Sequence, residues 1–155
     1  GALKIAYVDL DSLQAHYEYF KERKSELEKS QQAMDNELNA DANNLQKEYA
    51  QFQQKTATMT QSEGEAAQKS LVQKQQQLQA KKQNMQQLLM DQQAKFQDTL
   101  QKKVDDFLAK YNADKHYGFI FSYSRALSEI LYKDSAYDIT AEVIDGLNAA
   151  EKNKK

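Results

Sequence analysis

Three kinds of side chain in this sequence have the chemistry for a reactive site. His16 and His116 can ligate a metal or carry a proton. Asp9 and Asp11 form a close carboxylate pair, the raw material of acid–base catalysis. Ser and Thr are plentiful, but no Ser-His-Asp arrangement is supported by their placement. Each of the first two has a plainer role. Two histidines without a further ligand motif fall short of a metal set and suit surface or capping positions. Asp9 and Asp11 stand just ahead of a helix-forming stretch, where carboxylates cap and offset the helix dipole. The four Gly are isolated, so no phosphate-cradling loop is present, and the absence of Cys removes thiolate nucleophiles, thiolate metal sites and disulfides. The expectation is a protein that is not an enzyme, with no catalytic, cofactor-binding or metal-ligating residues, no cofactor and no small-molecule substrate.

The bulk properties exclude further classes. The chain has 155 residues, no Pro, 40% hydrophobic residues and a net charge of −2. Its pI is near 5.8 and its mean hydropathy is −0.91. Nucleic-acid binding needs clustered Lys and Arg to neutralise phosphates, and that cluster is missing. No apolar run approaches the roughly 20 residues that cross a bilayer. No secretory signal is visible and Gly1 reads as a cloning remnant, which leaves room for a signal already removed.

The elements that hold these residues fall into three parts. "LKIAYVD" at residues 3–9 alternates as a strand does, with Asp9, Asp11 and Ser12 supplying capping oxygens for the helix after it. Residues 12–112 contain no Pro and one Gly, and are rich in the good helix formers Gln, Lys, Glu, Ala and Leu. Leu13, Phe20, Leu27 and Met34 recur by sevens, and Leu38, Leu45, Phe52 and Met59 do so again after a shift of four, a stutter that locally unwinds a supercoil. Leu71, Leu78, Met85, Leu89, Phe96, Leu100 and Phe107 repeat the pattern beyond "TQSEG". The spacing predicts an antiparallel helical hairpin, a coiled-coil arm over 12–112 with its tip near 61–64, where Gly64 reads as the left-handed cap that ends the first helix. Gln-rich tracts are often unstructured, but sustained heptads favour helix.

The last third changes character. "YGFIFSY" and "SEILYKD" read as strands with "SRAL" as the bend between them, and Asp138 can cap a short helix bearing Ile139, Val143, Ile144 and Leu147. A hairpin returns the chain to its start, so residues 1–11 and 113–150 form one discontinuous β body, followed by a frayed tail at 151–155. A body of about 45 residues without Cys rarely stands alone. Its open sheet edges close when copies join into a barrel. The expected fold is α+β, mostly helical: a long hairpin arm on a small oligomerising β body. Ile5, Tyr7, Val8, Phe119, Phe121, Ile130, Tyr132, Ile139, Val143 and Ile144 are the candidate oligomerisation residues. The alternating Tyr117, Phe119, Phe121 and Tyr123 read first as a packed sheet face and second as a binding surface.

The opening "KIAYVDLDSL", the Gln- and Lys-rich hairpin and the closing "YGFIFSYSRALSEILYKDSAYDITAEVIDGLN" resemble the Skp (OmpH-like) periplasmic chaperone family over nearly the whole chain, with the two ends the most specific. The resemblance implies a homotrimer whose three bodies join in a barrel and whose arms surround a cavity. It implies an ATP-independent holdase sheltering unfolded outer-membrane proteins in the periplasm, with no catalytic residues to carry over. Well-known members are strongly basic, whereas this chain is slightly acidic with only a mild excess of Lys over residues 47–82, so contact with a membrane surface is not expected.

A holdase needs many weak, adaptable contacts. Scattered apolar side chains on a polar wall supply these, each contributing about 1 to 2 kcal/mol when partly covered. Tyr49, Phe52, Met59, Val72, Leu88, Met90 and Phe96 are the candidate client-binding residues. Those on the heptad line serve first to hold the helices together, while Val72, Leu88 and Met90 lie off it. The rival reading is a structural coiled-coil spacer or adaptor for one folded partner. A spacer favours a dense Leu and Ile seam with ordered ion pairs, which the sparse seam here lacks.

Overall fold

A computed structural model describes residues 1–154. The elements in order are β1 (Ile5–Asp9), α1 (Leu10–His16), α2 (Glu18–Lys55), α3 (Gln61–Lys115), β2 (Phe119–Tyr123) and α4 (Thr140–Lys152). The chain divides into two compact units. One is the body, residues 1–26 with the chain from Lys95 onward; the other is the arm, residues 27–94. The body is wider than the 1–11 and 113–150 expected. Tyr19, Phe20, Leu100, Val104, Phe107 and Leu108, at the roots of α2 and α3, pack against its core and belong to it.

The body is built on two parallel strands, β1 and β2, in register from Ile5 opposite Phe119 to Asp9 opposite Tyr123. Parallel neighbours need a long crossover, and the helices between them provide it. The core beneath is Ala6, Val8, Leu13, Tyr17, Ile139, Val143, Ile144 and Leu147. Gly146 is required where α4 crosses α3, since a Cβ there would run into the Phe107 ring.

The third expected strand, "SEILYKD", does not form. Residues 128–134 are irregular, and on the far side of β1 only an isolated bridge joins Tyr7 to Asp138. A strand exists only where a neighbour accepts its hydrogen bonds, and within one chain this segment has none. The sheet among the described residues is therefore two-stranded.

Short polar side chains fix the joints. Asp9 caps α1, accepting from the backbone N–H groups of Asp11 (2.9 Å) and Ser12 (3.2 Å). The Asp9 N–H donates to the Thr140 hydroxyl at 2.8 Å, and that hydroxyl donates to Asp138 Oδ1 at 2.5 Å. Asp11 holds the far connection by accepting from the Arg125 N–H at 2.9 Å. The predicted helix is broken at Tyr17, whose backbone is extended and whose ring lies in the core. The Asn148 side chain bridges the break, accepting from Glu18 N–H (2.9 Å) and donating to the His16 carbonyl (3.1 Å). Nothing in the periodicity marks this break, because Tyr17 sits on an apolar helix position either way.

The arm's turn lies at Thr56–Thr60, a few residues before the expected 61–64. Thr60 and Glu63 form a reciprocal capping box: Glu63 N–H donates to Thr60 Oγ1 at 3.1 Å and Thr60 N–H to Glu63 Oε2 at 3.4 Å. That box starts α3 at Gln61, so Gly64 falls in its first turn instead of ending α2. At the chain's end, α4 runs on to Lys152 because the Lys103 ammonium pairs with Glu151 at 2.8 Å. The expected fraying from 151 is thus not seen at Glu151 and Lys152, and Lys155 lies outside the described residues.

Candidate functional site

The reactive candidates have structural duties. His16 closes α1, its Nδ1 3.0 Å from the Ser12 carbonyl. His116 follows the end of α3 in the left-handed region, with φ of 60°. Asn112 stabilises that exit by accepting from the Tyr117 N–H at 2.7 Å and donating to the Tyr117 carbonyl at 3.0 Å. Asp9 caps α1 and Asp11 tethers the Arg125 backbone. Among the described residues no three His, Asp or Glu side chains cluster as a metal set. No helix among them is long and apolar enough to cross a membrane.

The body's candidate residues sort into two sets. Tyr7, Val8, Ile139, Val143 and Ile144 are buried within the chain itself, and Ile5 and Ile130 are half-buried. Phe119, Phe121 and Tyr132 are exposed, the two Phe rings stacked 5.7 Å apart. The structure adds residues that sequence reasoning missed: Leu127, Leu131 and Tyr137 are exposed as well. Leu131 is 100% exposed and Tyr132 85%, on the segment that found no strand partner. The available signal was Leu127, an apolar side chain in the "SRAL" bend where no packed face was assigned to it. Lys133 anchors the segment, its ammonium 4.5 Å from the Tyr123 ring centroid and 5.5 Å from that of Tyr7.

Burial tunes several groups in the body. The Tyr17 hydroxyl is pushed up to about 12 by burial, with Glu151 adding to the shift and Lys103 opposing it. Burial also raises Tyr7, helped by Asp138. Burial works against the Lys103 charge, but the hydrogen bond to Glu151 holds its titration above the usual lysine value. Tyr111 is raised by burial and by its hydrogen bond to Glu142.

The arm is a pair of antiparallel helices with little interior. Among its described residues Leu71 is the one buried apolar side chain, and α2 buries none along its 38 residues. Polar contacts tie the pair: Lys74 to Glu48 at 2.8 Å, and Lys81 to both Glu37 and Asp41 at 2.6 Å. These two acids hold the Lys81 titration above its ordinary value through their hydrogen bonds. Tyr49 donates to Gln75 Oε1 at 3.3 Å.

The candidate client-binding residues are not brought together. Val72 is 43% exposed, Leu88 47% and Met90 62%, all on α3. Tyr49, Phe52 and Met59 are half-buried along the helix pair. Phe96 is buried in the body, its ring 5.4 Å from that of Phe20, and offers no free face.

Comparison with known proteins bears on this arrangement. The family described as "Outer membrane protein (OmpH-like)" matches residues 4–147. A crystal structure from Caulobacter crescentus CB15, described as a candidate outer membrane chaperone (OmpH-like), shares the fold with a TM-score of 0.83 at 17% identity. The match covers 97% of this chain and 86% of that one. No curated protein matches the sequence.

Proposed function

The chain belongs to the OmpH-like outer membrane protein family, and from that premise we propose that it is a periplasmic chaperone, an ATP-independent holdase that shelters unfolded outer-membrane proteins between helical arms. The observation that carries this reading is the thin seam of the arm. A 38-residue helix with no buried residue gains little from its own packing. A spacer that must hold a fixed distance would bury its seam instead. Half-exposed apolar groups among amides give a client many shallow contacts, each contributing about 1 to 2 kcal/mol. Several arms around one space multiply such contacts through effective concentration. Release then needs no nucleotide, since no single contact is strong.

The same reading takes the protein as a homotrimer. Phe119, Phe121, Leu131 and Tyr132 are exposed apolar side chains on a body whose segment 128–134 forms no strand. Pairing that segment with a neighbouring copy would cover them. The test is aggregation of a urea-diluted β-barrel membrane protein followed by light scattering, without ATP. Suppression at stoichiometric trimer supports the proposal. Failure to suppress, with tight binding of one folded partner, would favour the spacer.

A further inference from the structure

We infer that the arm is two-faced and that one flank, the one crossed by the ion pairs, receives the unfolded client. This rests on the chaperone reading and adds which face works. The seam of α3 runs through Leu71, Leu78 and Met85. Lys74 and Lys81 stand to one side of it and reach Glu48 and Asp41 on α2. Leu88 stands on that side too, since it lines a groove of about 380 Å³ with Ala80, Lys81 and Met85. A second groove, of about 280 Å³, exposes Leu45 and Leu78 between the two ion pairs. A third, of about 230 Å³, lies toward the turn and is lined by Phe52 and Met59 over the buried Leu71. Val72 and Met90 lie elsewhere. They are a whole number of helical turns apart and share a line, which at 3.6 residues per turn is about 160° around α3 from Leu88. Val72, Met90 and Leu88 therefore cannot line one wall.

The grooved flank fits an apolar, uncharged polypeptide segment. Lys74 and Lys81, the lysines of the straps, already face carboxylates, so an anionic lipid or a nucleic acid finds little free positive charge between them. What remains to bind is the seam floor between the ion-pair straps. Successive floor positions are one heptad apart, about 10.5 Å, which is about three residues of extended chain. Side chains three apart on a strand face opposite ways, so no one register fills every groove. Binding is then loose and indifferent to sequence, as a holdase requires.

The experiment places a photoreactive residue at Leu88, Ala80, Val72 or Met90 of the full chain and adds a urea-unfolded β-barrel outer-membrane protein. Aggregation suppression by each variant is recorded alongside. Capture at Leu88 and Ala80 is expected to exceed that at Val72 and Met90 at least about fivefold, the ratio for about 1 kcal/mol of contact confined to one flank. Equal or greater capture at Val72 and Met90, or none at any position, with suppression intact overturns the flank and leaves the chaperone. No capture together with no suppression removes the chaperone reading itself.

Discussion

In the body, Val143 is wholly buried, Tyr17 and Ala6 nearly so, and short polar side chains lock every joint between elements. In the arm, Leu71 alone among the described apolar residues is buried, and the helices are joined mainly by exposed polar pairs. Both regions use the same apolar residue types. The difference is what surrounds them. The body brings strands, α1 and α4 over one core, while an arm residue has a single partner helix and solvent on the remaining sides. A two-helix contact shields few side chains fully, so an arm built this way keeps most of its apolar groups partly available. The body carries the fold's buried core, and the proposed function assigns the arm the contacts with other chains.

The contrast sets an order of mutational effects. Tyr17→Ala should be the most damaging, costing about 3 to 5 kcal/mol as the core loses its largest buried ring. Thermal melting of the body by near-UV circular dichroism checks this. Raising the pH comes next. A tyrosine whose hydroxyl is raised in the folded state favours the fold in its neutral form. Its stabilisation is intact below pH 10.0, the unfolded value, and is lost as pH rises toward about 12. The loss from Tyr17 is on the order of 2 to 3 kcal/mol at the end of that window. Tyr7 and Tyr111 act in the same direction. Melting temperature should fall between those pH values, and Tyr17→Phe should flatten the fall.

Gly146→Ala should cost about 1 to 3 kcal/mol, because the new methyl meets the Phe107 ring. Smallest of all is the effect of Lys81→Ala in the arm, since exposed ion pairs contribute little. Helicity by far-UV circular dichroism should hardly change. An arm as sensitive as the body would erase the distinction between them.

The sequence made the arm legible because heptad spacing is a property of neighbouring residues. Sevens through Leu71, Leu78 and Met85 mark a seam whatever lies around them. The cap at Asp9 and the place of Asp138 ahead of α4 were legible for the same local reason, whereas the Thr140 link to Asp9 was not. The turn was misplaced because Gly64 competes with a Thr60–Glu63 capping box, and the box wins by satisfying two backbone donors. The Tyr17 break was invisible because its cause is Asn148, distant in sequence. "SEILYKD" has strand chemistry but needs a partner edge that a single chain does not provide. The client-binding set mixed both flanks and the body, since apolar type does not tell which side of a thin seam a residue occupies.

Hydrogen–deuterium exchange on the protein, with and without unfolded client, tests the contrast most directly. Slow exchange is expected in β1 and α4 in both states. Fast exchange is expected across residues 27–94 in the free protein, slowed when client is added. Arm amides as protected as those of α4 before client arrives, or client protection confined to the body, would contradict the division of labour between the two regions.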